Sequence, residues 1–315
     1  MSRDAPQSPL FDEAIDDLHS LRDFMRLAMS AFSAYQVHYG HGTDNALDEA
    51  AYLVLQAMHL PADLDTRWLD ARLCRSERAH LVELLRKRCV ERIPTAYLVN
   101  RAWFAGLEFH ADARALVPRS PLAELIQQGF APWVEPEHIH SILDLCTGGG
   151  SIALACAHYF PDAQIDGVDL SVDALALAEE NRAALHLEEQ VELLQGDLFA
   201  PVAGRRYDLI VSNPPYVDAS DMRELPAEYL HEPRMALAAG DDGLDIVRRI
   251  LREAASYLQP EGALIVEVGN SEAHVQAAWP EVPFTWLHFE HGEDGVFVLT
   301  REQLLEHAAY FAPST

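Results

Sequence analysis

Asn213-Pro214-Pro215-Tyr216 has the residue types to hold a planar group that carries an NH2. An Asn side-chain oxygen and a prolyl carbonyl accept hydrogen bonds from such a group, and a tyrosine ring offers it a flat wall. Two consecutive prolines fix φ and delete two N–H donors, so the segment is stiff and presents mainly carbonyl oxygens. This is the chemistry of a carboxamide or aminopurine pocket, not of a pocket for an acid. The tetrapeptide closes the apolar run Tyr207-Asp208-Leu209-Ile210-Val211-Ser212, which reads as a buried parallel strand stopped by the prolines. In open α/β sheets, ligands bind outside the carboxyl ends of the strands, which is where the tetrapeptide falls.

Three other strand tips carry ligand chemistry. The run Ile142-Leu143-Asp144-Leu145-Cys146 enters Thr147-Gly148-Gly149-Gly150-Ser151, a glycine loop with a helix N-terminus behind it, open to close approach by a ligand. The loop lacks the third glycine of a dinucleotide fingerprint, with Ala153 near that position, and lacks the Lys of a P-loop. A second strand ends Asp166-Gly167-Val168-Asp169-Leu170-Ser171, and Asp169 at its tip suits two ribose hydroxyls. The alternative for Asp169 is a helix cap, a role Ser171 already fills. A third strand ends Gln195-Gly196-Asp197-Leu198-Phe199, where a carboxylate, a backbone N–H and an aromatic face suit the amino edge and plane of adenine. Turn chemistry is the competing reading there.

The elements that must position these tips alternate. Strands are predicted at Ser141–Cys146, Gln164–Asp169, Val191–Gln195, Tyr207–Asn213 and Ala263–Val268. Helices are predicted at Gly150–Tyr159, Val172–Leu185, Asp242–Leu258 and Glu272–Trp279. Phe284–His288 and Gly295–Thr300 follow as strand after strand. The pattern predicts a doubly wound, mostly parallel α/β sheet with an antiparallel element near its end. Before it, Leu10 to Phe32 shows helical spacing. Thr43 or Asp44 is placed to cap a helix through Met58, Pro61 precedes a third pattern, and Ser76 is placed to cap Glu77–Val90. Between these parts, Trp103-Phe104, Leu107-Glu108-Phe109 and Ala115-Leu116-Val117 suggest a strand pair. The irregular stretch from Tyr216 to Asp241 is long for a compact domain, and its place beside the tetrapeptide suits substrate contact.

The chain has 315 residues and a formal charge of −27, unevenly spread. Residues 1–119 carry 14 Lys and Arg against 17 Asp and Glu, whereas residues 120–315 carry 9 against 33. A second part this acidic repels a phosphate backbone and attracts a basic protein; solubility alone is the plain alternative. Within Arg67–Arg92, the basic series that includes Arg86-Lys87-Arg88 reads as solvated helix faces paired with Asp63, Asp65, Asp70, Glu77 and Glu83. Contact with RNA is the other reading. Cys74, Cys89, Cys146 and Cys156 lack C-x-x-C spacing and read as buried reduced thiols. His138-Ile139-His140 lacks further ligands, so no metal is expected. Met1-Ser2-Arg3-Asp4-Ala5-Pro6 has no apolar signal core, and no run is long enough for a membrane span, so a cytoplasmic protein is expected.

Together the four tips describe S-adenosylmethionine beside an amide, and the chain resembles the protein-glutamine N-methyltransferases, whose signature is a strand-terminal Asn-Pro-Pro-Tyr. The segments Ile93–Leu98, Ala102–Leu107 and Leu116-Val117-Pro118-Arg119-Ser120-Pro121-Leu122-Ala123-Glu124-Leu125-Ile126 resemble the PrmB branch, which modifies the third protein of the large ribosomal subunit. The release-factor branch is the alternative, and enzymes that methylate exocyclic amines of DNA or RNA bases share the tetrapeptide. The resemblance implies a class I (Rossmann-like) sheet of seven strands. It also implies a helical substrate-recognition domain (1–95), a β-hairpin linker (96–118) and a methyltransferase domain (119–315). It places the cofactor on Asp144, Cys146, Thr147, Gly148, Gly149, Gly150, Asp169, Leu170, Asp197, Leu198, Phe199 and Asn213. Glutamine binding falls to Pro118, Arg119, Asn213, Pro214 and Tyr216, and catalysis to Asn213, Pro214, Pro215 and Tyr216.

Overall fold

A computed structural model of the chain describes residues 9–289 and 294–312, so the reading of Met1–Pro6 lies outside the described residues. The chain divides into two units, Met1–Ala102 with Pro226–His231, and Trp103–Leu225 with Glu232–Thr315.

In the first unit the apolar spacing from Leu10 to Phe32 is interrupted, giving α1 (Pro9–Asp17) and α2 (Leu21–Ala34). Ser20 causes the break. Its hydroxyl accepts from the Asp23 N–H while the Asp23 carboxylate accepts from the Ser20 N–H, a reciprocal cap that starts a new helix. The next helix, α3 (Ala46–Ala57), is capped by Asn45 rather than by Thr43 or Asp44. The pattern after Pro61 yields only a single turn, Thr66–Asp70. Helix α4 (Arg75–Arg86) starts behind Cys74, not Ser76, with the Glu77 carboxylate accepting from the Cys74 N–H at 2.7 Å. A wide turn, Lys87–Glu91, extends it, and α5 (Thr95–Val99) follows. Phe11, Phe24, Leu27, Phe32, Leu53, Leu81 and Leu85 form the core of this unit. Cys74 is exposed and Cys146 half-buried, so only Cys89 and Cys156 are buried thiols; all four are free.

The basic series also departs from expectation. Arg67 pairs with Asp65, Arg75 with Asp16, Arg86 with Asp12 and Lys87 with Glu83, all on the surface. Arg88 is instead fully buried. Its Nε donates to Glu49 at 2.6 Å, and its two terminal nitrogens donate to Glu228 at 3.3 Å and to the His38 carbonyl at 2.8 Å. Thr95 donates its hydroxyl to the same Glu49 oxygen, and the His38 N–H to Glu228. A helical periodicity cannot show this, because one of the two acids lies 140 residues further along the chain.

The second unit opens with β1 (Ala102–Phe104) and β2 (Leu107–Phe109), a two-stranded sheet that begins at the unit boundary. Helix α6 (Leu122–Gln127) precedes the main alternation: β3 (Ser141–Leu145), α7 (Ser151–Tyr159), β4 (Gln164–Asp169), α8 (Val172–Leu185), β5 (Val191–Gln195) and β6 (Tyr207–Ser212). Then come α9 (Asp221–Glu224), α10 (Asp245–Tyr257), β7 (Leu258–Glu267), α11 (Glu272–Ala278), β8 (Thr285–Leu287), β9 (Val296–Thr300) and α12 (Arg301–Glu306). The seven-stranded order is β5-β4-β3-β6-β7-β9-β8, with β9 antiparallel to β7 and the five strands from β5 to β7 parallel. Successive side chains of a strand face opposite sides. Ile142, Ile165, Leu209 and Ile265 accordingly pack with α7 on one face, and Leu143, Val168, Ile210 and Leu264 with α10 on the other.

Removing the Arg88 guanidinium takes the paired cation from buried Glu49 and one of the two cations, Arg88 and Arg92, that pair with buried Glu228. Arg88→Ala is expected to lower the stability of the full chain by about 3–5 kcal/mol in urea unfolding. Arg75→Ala, which breaks an exposed pair, should cost no more than about 1 kcal/mol. Equal small losses would mean that the Arg88 cluster is solvated.

Candidate active site

Strand order reverses between β3 and β6, and a cavity opens beyond their carboxyl ends. It is lined from all four strand tips and by residues 114–120. The glycine loop is held from beneath by Asp144, which is fully buried. One of its oxygens accepts from the Thr147 hydroxyl at 2.5 Å and the Ala153 N–H at 3.0 Å. Its other oxygen, Oδ1, has no hydrogen-bond partner among the described residues. Burial pushes this carboxyl up to about 7, against the pull of those two donors. Gly150 turns the chain into α7 at φ 84°, where a Cβ would also come within 3.1 Å of Ala178. Cys146 adopts φ 62° without being glycine, and burial raises its thiol pKa well above the usual range, so it is a poor nucleophile.

Sequence reasoning missed Asn181 of α8, the main lateral support of this loop. Its amide donates to the Gly149 carbonyl at 2.9 Å and brackets His110, accepting from that N–H at 2.7 Å. The available signal was an amide in the middle of a helix, where it lowers helix propensity and so asks for a reason.

Asp169 accepts from the Gly148 N–H and the Ser171 N–H, both at 2.8 Å, and burial pushes its carboxyl pKa up. A carboxylate has about four acceptor sites, so two hydroxyls can still be received. Asp169 thus holds the glycine loop and the start of α8 as well as facing the cavity, while the Ser171 hydroxyl caps the helix as expected. Asp197 lines the cavity and pairs with Arg249 at 2.8 Å. Leu170 and Leu198 give two apolar contacts for a flat base, Leu170 being 56% exposed although large and apolar. Phe199 is not brought to the cavity: its ring is in the core, stacked on Tyr257 at 4.5 Å. Asp144 and Gly150 likewise support the loop without lining the cavity.

The tetrapeptide forms the other wall. Asn213 is half-buried at the end of β6, and no described residue takes up its side-chain amide. Tyr216 is gripped by the turn after β7. Its hydroxyl donates to Glu267 at 3.3 Å, its carbonyl accepts from the Ser271 hydroxyl at 2.7 Å, and its ring lies against Gly269. Arg119 lines the cavity but commits its guanidinium to Glu232 in a two-pronged pair at 2.5 and 2.7 Å, and Glu232 also accepts from the Val117 N–H. The Tyr216–Asp241 stretch is ordered by its own ends, Val217 and Ala239 exchanging backbone hydrogen bonds with Leu237 and Val217. Glu232 and Glu267 were not foreseen. For Glu267 the signal was an acid closing the apolar run Leu264-Ile265-Val266.

Residues 130–241 match the family model described as Methyltransferase small domain. The chain is 51% identical, over 94% of its length and 96% of the relative's, to the ribosomal protein uL3 glutamine methyltransferase of Xanthomonas campestris pv. campestris. It is 49% identical to the protein of the same name from Neisseria meningitidis serogroup B, over 94% of this chain and 98% of that one. Among solved structures, the hMettl16 catalytic domain in complex with an RNA hairpin superposes with a TM-score of 0.50 at 14% identity. It covers 71% of this chain and 81% of that one, a likeness of fold alone.

Asp144 gives a pH signature. Its carboxyl lies near 7 when folded against 3.8 ordinarily, so the folded chain holds the extra proton between those values. That contribution is complete below the lower pKa and is lost as pH rises through the upper one. Asp144→Asn, which stays neutral, is expected to gain on the parent chain between about pH 4 and 7, by at most about 4 kcal/mol, and to run parallel above. Urea unfolding of the ligand-free chain across that range checks it, and a constant difference would mean that the carboxyl titrates normally.

Proposed function

The chain belongs to the family of ribosomal protein uL3 glutamine methyltransferases, and from that premise we propose that it methylates the side-chain amide nitrogen of a glutamine in uL3, with S-adenosylmethionine as donor. The observation that carries the reading is one cavity lined both by the glycine loop with the Asp169 tip and by Asn213-Pro214-Pro215-Tyr216. The residues present fit the cofactor. The glycine loop admits close approach, Asp169 has acceptor capacity for ribose, and Leu170, Leu198 and Asp197 suit the faces and amino edge of adenine. Bound there, S-adenosylmethionine supplies a sulfonium methyl group, an electrophile that needs an aligned nucleophile.

A carboxamide nitrogen is a weak nucleophile because its lone pair is delocalised into the carbonyl. The Asn213 side-chain oxygen and the Pro214 carbonyl accept its two hydrogens, which fixes the nitrogen and favours the positive charge that develops on it. Tyr216 walls the flat amide, and Pro215 keeps the corner from relaxing. The nitrogen becomes acidic as it is alkylated, so no strong base is required of the protein. Pro118 and Arg119 shape the acceptor side, Arg119 through its pair with Glu232.

The partner is a basic ribosomal protein, which the acidic second part of the chain attracts. The helical first unit serves recognition of that protein. Contact with ribosomal RNA gains little support, because Arg88 is buried and Arg86 and Lys87 are paired. No helix of the described residues is long and apolar enough to cross a membrane, and a ribosomal acceptor implies a cytoplasmic enzyme. The names of the half-identical relatives favour uL3 over a release factor, and a 14% likeness to an RNA-bound domain does not favour a nucleobase.

Incubated with labelled donor, the purified chain is expected to place one methyl group on a glutamine of uL3 and none on a release factor, as read by peptide mass spectrometry. Preference for the release factor would reverse the assignment. Asn213→Ala should lose about 100- to 1,000-fold in turnover. Its affinity for S-adenosylhomocysteine, read by calorimetry, should stay within about threefold, a change worth less than 1 kcal/mol. Normal single-turnover methylation by that variant would remove Asn213 from the chemistry.

A further inference from the structure

Resting on the amide site proposed above, we infer that Glu267 is a positioning residue for the methyl acceptor, acting through Tyr216 and Ser120. Glu267 is the last residue of β7, the strand beside β6, and is only 4% exposed. Its two oxygens serve two different walls of the site. One accepts from the Tyr216 hydroxyl, the other from the Ser120 hydroxyl. A carboxylate only accepts, so both hydroxyl protons are directed at it. Ser120 in turn accepts from the Leu122 N–H at 3.1 Å, which settles the orientation of the Pro118-Arg119-Ser120 segment that lines the cavity.

Tyr216 has little freedom left. Gly269, at φ 45°, lies so close that a Cβ there would come within 2.7 Å of the ring, while Ser271 holds the tyrosine carbonyl. The turn 267–271 is therefore a mould for the residue that walls the amide, and Glu267 tethers its ring hydroxyl. Burying a carboxylate beside Leu264, Ile265 and Val266, all 0% exposed, costs free energy that packing does not return. What it gives is a fixed wall. An error of about 1 Å in the placement of a reacting group can cost on the order of 100-fold in rate.

Glu267→Ala releases both hydroxyls, whereas Glu267→Gln can still accept from Tyr216 and donate to Ser120. With uL3 as acceptor, Glu267→Ala should lose about 10- to 100-fold in kcat. Its KM for uL3 and its affinity for S-adenosylhomocysteine should each stay within about threefold. Glu267→Gln should recover kcat to within about fivefold of the parent. In a Tyr216→Phe, Ser120→Ala background, Glu267→Gln should cost nothing further. Several results overturn the inference: a fully active Glu267→Ala, a Gln variant as poor as the Ala variant, or an undiminished additional loss in the double background. If Glu267→Ala does not fold, Glu267→Gln decides alone: a loss in kcat well beyond about fivefold against the parent, or an undiminished loss in the double background, overturns the inference. An inactive parent chain would instead defeat the amide-site reading itself.

Discussion

Parallel strands β3 and β6 lie side by side, yet the chain leaves them toward opposite halves of the sheet, and the rest of the site depends on that divergence. Helix α7, after β3, packs on one face, and α10, between β6 and β7, packs on the other. No helix can cover the gap where the two connections part, so a crevice is left at the carboxyl ends. The glycine loop enters it from β3 and the two prolines from β6. Two short segments distant in sequence thereby become neighbours without either needing an unusual fold.

What makes the crevice rigid is a set of carboxylates placed beneath and beside it. Asp144 braces the glycine loop, Asp169 joins that loop to the start of α8, Glu232 fixes the segment through Arg119, and Glu267 fixes Tyr216 and Ser120. Each receives hydrogen bonds from nearby backbone or side-chain donors, which orient it and offset part of the cost of its burial. Asn213 differs from them, since its amide is not taken up by any described residue. The acidity of residues 120–315 thus has two parts, a solvated surface that suits a basic partner and a small internal group that holds the walls.

The sheet was legible because its central strands β3, β6 and β7 are buried along most of their length and carry apolar runs between turn residues. β4 and α8 fall on the residues their patterns predict, Gln164–Asp169 and Val172–Leu185. The tips were legible for a related reason: glycines, prolines and acids at strand ends are locally encoded. Less legible was whatever depends on a distant partner. The spacing from Leu10 to Phe32 continues through Ser20, and only the serine–aspartate pairing at 20 and 23 hints at two helices. Phe199 has the composition of a base-stacking residue but finds Tyr257 in the core instead. Arg88 sits in a basic run whose other members do face solvent, and nothing local separates it from them.

Glu228 carries a consequence for synthesis. The helices that surround Arg88 are translated early, and one of the acids that neutralises it emerges 140 residues later. A chain growing from its N-terminus therefore holds a partly compensated arginine in a nascent helical bundle until most of the parallel sheet has also been made. Completion of the bundle is coupled to the late segment that follows the Asn-Pro-Pro-Tyr tetrapeptide. A fragment ending at Ala102 would keep the apolar core residues of the bundle and lack the counter-charge that closes it.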